Sequence, residues 1–175
     1  MSKTTSTKKS LQGIVSSLGY LIELAGQPEA VRQESTTVSG WSVGQHLEHL
    51  TLSDELTLQG LSNLLNRPGS TTPRQPTLVG RICLWAGYIP RGRGKAPKGV
   101  VPQGMPGQEI HDRLTAVREK FVELEASVET LASSTATQPH PVFGHLDACQ
   151  WLRFTDMHHH HHQKIIRDIV RSVNG

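Results

Sequence analysis

Hydrophobic positions along this chain recur at spacings of three and four, the signature of helices with one buried face. Leu11, Ile14, Val15, Leu18, Leu21, Ile22 and Ala25 mark a first helix that stops at Gly26, with Pro28 beyond it. A second is predicted from about Val43 to Asn66, on a stripe of Val43, Leu47, Leu50, Leu58, Leu61, Leu64 and Leu65. Its start is well marked. Ser42 and Gln45 form a capping-box pattern, and Trp41 takes the position of the hydrophobic staple. Arg67-Pro68-Gly69 stops it. In a third helix, from Gln108 to Ala132, Ile110, Leu114, Val117, Phe121, Leu124, Val128 and Leu131 alternate four and three without a fault. A fourth follows Asp147, which with Gln150 makes another cap of the same type. Its seam is Trp151, Thr155, His158, His162, Ile165 and Ile169.

Between the second and third helices the pattern weakens. Leu78 to Tyr88 predicts a short helix, and a Gly/Pro/Lys/Arg-rich loop then runs to Pro106. A connection this long is either a misread element or a functional covering segment. No strand pattern of any length and no internal repeat is visible. The expectation is an all-α four-helix bundle with a long crossover connection between helices 2 and 3. Residues 1–9, rich in Ser, Thr and Lys, are expected to be a disordered tail, and residues 10–175 a single domain.

Composition adds bounds more than direction. The 175 residues are 35% hydrophobic and 19% charged, ordinary for a soluble domain, with a formal charge of +3. The excess is partly local to the stretch from Arg91 to Lys98, which lacks interleaved aromatics and so argues weakly for nucleic acid. No apolar run approaches the roughly 20 residues that span a membrane. The polar N-terminus has no apolar segment of the secretory kind. Cys83 and Cys149 lie far apart outside any CxxC pair and read as free thiols, which together suggests a cytoplasmic protein. Cys149 falls in the first turn of the fourth helix, where a thiolate is favoured electrostatically, although a buried inert thiol is the commoner case.

The chemistry concentrates in the run His158 to His162. It keeps the helical pattern on both sides and so does not read as a purification tag. His158 and His162, at i and i+4, present two imidazoles to one ion. By the same phase His159 and His160 point away, and His161 is borderline. A third donor would come from the second helix, where His46 and His49 are both candidates. Three protein ligands with an open position make a reactive site rather than a purely structural one. Asp54 falls near the middle of the second helix's stripe, either as a carboxylate orienting a histidine or because the helix phase is mis-set; the second reading is slightly favoured. His111, His140 and His145 have no partner spacing, and the Pro-flanked His140 reads as structural.

Two motifs carry a resemblance. Trp41-Ser-Val-Gly-Gln-His-Leu-Glu-His49-Leu resembles the WSxGxxxxHL signature of the DinB-like superfamily of metal-binding four-helix bundles. His140-Pro-Val-Phe-Gly-His-Leu, then Trp151, then His158 and His162 resembles the HPxFGxL...W...HxxHH ending of one uncharacterised bacterial branch. The resemblance implies three histidines holding a divalent metal, commonly zinc or nickel. Matched residue by residue, they are His49, His158 and His162, with His161 on the first His of the family's HH pair. Relatives include bacillithiol- and mycothiol-dependent transferases, in which the metal binds a low-molecular-weight thiol as thiolate. The resemblance thus implies a small-molecule substrate, with a thiol or water activated at the metal. The alternative reading is a non-catalytic metal-binding or stress-related bundle acting as a homodimer; a nucleic-acid binder ranks last.

Overall fold

In a computed structural model that describes residues 2–66, 74–92 and 94–175, four long helical segments surround one hydrophobic core. They are α1 (Lys3–Ala25), α3 (Val43–Leu65), α5 (Gly107–Glu123) and α7 (Ala148–Asn174). The short helices are α2 (Pro28–Val31), α4 (Leu78–Ala86) and α6 (Val128–Ser133). Around the bundle the order is α1, α5, α3, α7, so each long helix packs on two others and α1 faces α3 across the diagonal.

Paired contacts fix the directions. Thr7 meets Cys149 and Ser17 meets Gln163, so α1 and α7 run parallel. Glu48 reaches Met105 and Glu55 reaches Arg113, so α3 and α5 also run parallel. His46 meets His162, whereas Asp54 meets His159, so α3 and α7 are antiparallel. Parallel helices cannot be joined by a tight turn, and α3 accordingly ends at the opposite end of the bundle from the start of α5. The crossover expected between the second and third helices is therefore present, as is the predominantly helical bundle.

Both predicted capping boxes form. Ser42 Oγ accepts from the Gln45 amide at 3.2 Å while Gln45 Oε1 accepts from the Ser42 amide at 2.9 Å. Asp147 and Gln150 do the same at 2.8 and 3.0 Å. Trp41 staples α3 as predicted, packing edge-on against His46 at 5.4 Å. The stop expected at Arg67-Pro68-Gly69 lies outside the described residues; α3 is capped by Asn66.

Four expectations need correction. First, residues 3–9 are helical rather than disordered, because α1 starts at Lys3 behind a Ser2 cap. Thr7 and Ser10 are buried, and Lys3 pairs with Asp147 at 3.2 Å. These first two turns or so pack through the small polar side chains of Thr7 and Ser10, which carry no apolar signal. Second, the third helix is broken. A 3-10 stretch at Leu124–Ser127 separates α5 from α6, and beyond it Val128 and Leu131 are still buried, with Ala132.

Third, there is a sheet: β1 (Thr137–His140) pairs antiparallel with β2 (Gly144–Asp147). Four-residue strands, one containing Pro139, show no usable alternation. The turn is closed by His140 Nδ1, which accepts from the amides of Val142 and Phe143 at 3.1 and 2.9 Å. Gly144 has φ +78° and lies so close to Thr77 that a Cβ would meet its amide nitrogen at 2.8 Å. The hairpin thereby docks on the start of α4.

The fourth correction concerns the seam of α7. A buried series runs Ala148, Leu152, Thr155, His159, His162, Ile166 and Ile169, again spaced four and three but displaced from the predicted stripe, with Met157, Gln163 and Ile165 buried beside it. Thr155, His162 and Ile169 belong to both stripes. Ile165 is buried as the predicted stripe has it, Trp151 and His158 are half-buried at the edge of the core, and His159 sits inside it with no exposure. Along α3 the matching series is Val43, Leu47, Leu50, Asp54, Thr57, Leu61 and Leu64, so Asp54 is in phase after all. The two polar seam positions find one another: His159 Nε2 lies 2.9 Å from both oxygens of Asp54.

Candidate metal centre

The antiparallel contact of α3 with α7 places His49 opposite His158 and His162. The Nε2 atoms of His49 and His158 are 3.2 Å apart, and those of His158 and His162 are 3.0 Å apart. All three donor atoms lie within 4.8 Å of one another. Two metal–nitrogen bonds of 2.0–2.1 Å at the tetrahedral angle would set donors about 3.3 Å apart, so the triad has the spacing to hold one ion. These are the three residues implied by the motif resemblance. His46, the competing candidate on α3, stands behind them.

Proton placement favours the same use. His49 Nδ1 lies 2.7 Å from the carbonyl oxygen of Val100, an acceptor only, so the ring donates there and keeps a lone pair on Nε2. His162 Nδ1 lies 2.9 Å from His46 Nδ1, and His46 Nε2 lies 2.9 Å from Ser39 Oγ. If His162 donates to His46 and His46 to Ser39, the Nε2 of His162 is free as well. The reverse arrangement also satisfies the chain, and a bound cation would select the first.

Burial lowers the pKa of every ring here. His158 and His162 are held well below the ordinary value, first by desolvation and then by neighbouring histidines. His49 is lowered by burial, which outweighs the opposing effects of Val100 and Asp54. His46 is lowered to about 4 by burial and His49. Neutral imidazoles are what a metal needs.

The rest of the histidine run is divided among separate tasks. His159 belongs to the core with Asp54, correcting the expectation that it points away. His160 is exposed and contacts Asp156. His161 turns its Nδ1 to the carbonyl oxygen of Ile89 at 3.0 Å, tying the crossover to α7. Cys149 is free, and burial raises its thiol pKa, which matches the inert reading.

Glu48 was missed by sequence reasoning. Its buried carboxylate accepts from the backbone amides of Gln103, Gly104 and Met105 at 2.6, 3.0 and 2.9 Å. This pins the end of the crossover to α3, next to the Val100 carbonyl that orients His49. No sequence signal marked it, since Glu48 lies off the predicted stripe and its partners are backbone amides. The other missed element is the pocket. The triad sits in the wall of a cavity of about 370 Å³ between the bundle and the crossover, with Trp41 packed 5.1 Å from the His49 ring.

No solved structure gives a significant match to this chain. A stretch of 52 residues is 38% identical to part of an uncharacterized RNA methyltransferase of Nitratidesulfovibrio vulgaris, covering 29% of this chain and 11% of that protein. The chain therefore spans about a tenth of that relative's length. Much broader is the match to the model of the family described as "Protein of unknown function (DUF1569)". It takes in residues 27–168, and with them α3, the crossover, α5 and all three triad histidines; the chain belongs to that family.

Proposed function

We propose that this is a metal-dependent enzyme of the DinB-like type, in which His49, His158 and His162 hold a divalent cation, zinc or nickel. The open coordination position, facing the pocket, would activate a low-molecular-weight thiol or water on behalf of a small-molecule substrate. One observation carries the reading: one ring nitrogen from each of the three histidines lies within 4.8 Å of the other two, His158 Nε2 being 3.2 and 3.0 Å from the Nε2 atoms of His49 and His162, and the Val100 carbonyl leaves the lone pair of His49 on Nε2. The cation would lower the pKa of the bound thiol or water and so supply a nucleophile near neutral pH. The chain's own residues supply orientation: Val100 and His46 hold two of the rings in place, and the crossover restricts water on the open side.

Cobalt substitution tests this reading. Its visible spectrum should shift when a small thiol is added, because the thiolate enters the coordination sphere. An unresponsive spectrum favours the second reading, a non-catalytic metal-binding bundle that acts as a dimer. That reading has its own support in the exposed apolar face of α4, where Leu78 is 70% and Trp85 86% accessible.

A further inference from the structure

The pocket beside the triad has an unusual balance of groups. Its walls are mainly apolar, with Leu56, Ile89, Val142, Phe143, Trp151 and Phe154 among them. Phe154 stacks on the His158 ring at 5.2 Å and 18°, carrying the aromatic surface right up to the triad. No carboxylate lines the pocket among the described residues, and its charged side chain is Lys95. The two acidic groups buried behind the histidines are spent elsewhere, Asp54 on His159 and Glu48 on three backbone amides. From Leu56 to Gln108 the sequence holds no Asp or Glu at all. Three neutral imidazoles leave a bound dication without an anionic partner, so the pocket-side ligand must bring the negative charge itself. The adjoining walls offer that ligand apolar contact in place of hydrogen bonds.

From this we propose that the pocket takes an amphiphilic organic anion: a ring-sized apolar body lodged among Phe143, Trp151 and Phe154, with a thiolate or carboxylate head seated on the triad. The proposal rests on the metal-holding reading above and narrows it, since small, wholly polar ligands would leave the apolar walls unused. At about 370 Å³ the cavity falls within the range of small-molecule sites and has ample room for such a body.

The test is calorimetric titration of the zinc-loaded, full-length protein with matched probes: phenylmethanethiol against 2-mercaptoethanol, phenylacetate against acetate, and benzylamine as the cation. Burying a phenyl group is worth about 1.5–3 kcal/mol, so each phenyl-bearing anion should bind at least about tenfold more tightly than its small counterpart. Benzylamine should not compete. Leu56→Glu, at a position 53% exposed and therefore tolerant of charge, should weaken phenylacetate binding about tenfold while zinc content is unchanged. Zinc held with equal affinity for phenylacetate and acetate, or with benzylamine binding as well as the anions, overturns this inference and leaves the metal reading standing. A protein that holds no zinc overturns both.

Discussion

The Nδ1 atoms of His46 and His162 face one another at 2.9 Å, one in the second long helix and one in the last. That contact makes His46 a support for the triad rather than a member of it. Substituting His46→Phe should leave the metal stoichiometry unchanged but weaken affinity about 10- to 100-fold, the usual effect of removing a partner that orients a ligand. Competition with a chelator of known affinity measures it. Loss of stoichiometric binding would place His46 among the ligands instead.

The Asp54–His159 pair lies wholly inside the bundle and joins the seams of α3 and α7. Removing one partner leaves the other unpaired in the core, so Asp54→Ala should cost about 1–3 kcal/mol in denaturant unfolding. Were His159 on the outer face of α7, as helical phase alone suggested, the substitution would cost far less.

Glu48 holds the end of the crossover through three amides. Glu48→Gln, which keeps the shape but loses the charge, should cost about 1–3 kcal/mol. It should also raise proteolytic cleavage between Val101 and Met105, the backbone it releases. A protease pattern unchanged from wild type would mean that other contacts hold the loop.

Acid sensitivity follows from His140. Burial lowers its pKa from 6.5 to about 4, and two backbone amides occupy its Nδ1. Above pH 6.5 the ring is neutral folded or unfolded and exerts no pH effect. As pH falls from 6.5 toward about 4 the unfolded chain takes the proton first, so stability drops by up to about 1.4 kcal/mol per pH unit from this group alone. Below about 4 its contribution levels off. His140→Asn retains an acceptor for the turn and cannot titrate. Chemical denaturation of the variant across pH 4–8 should therefore show a shallower acid loss with little change at pH 8, and an identical slope would remove His140 from the account.

The helices, both capping boxes, the crossover and the implied triad were legible because periodicity, cap chemistry and motif spacing are local. The exact face of α7 was not. Trp151, His158 and Ile165 make as regular a stripe as Leu152, His159 and Ile166, and only the position of Asp54 on the opposing helix decides between them. Residues 3–9 and the β-hairpin were hidden for a related reason. Their burial comes from Thr7 against Cys149 and from Gly144 against Thr77, long-range contacts made by residues with no apolar pattern. Glu48 was invisible because its partners are backbone amides, which no sequence pattern marks.

On the proposed function, His49, His158 and His162 together hold one divalent ion. Elemental analysis of protein purified without an affinity tag and then saturated with zinc addresses it directly, on the wild type and on His49→Ala, His158→Ala, His162→Ala and His160→Ala variants. About one tightly held ion per chain is expected in the wild type and in His160→Ala, and loss of that ion in each of the other three. Full occupancy in the triad variants, or a wild type that retains no zinc, would contradict this assignment.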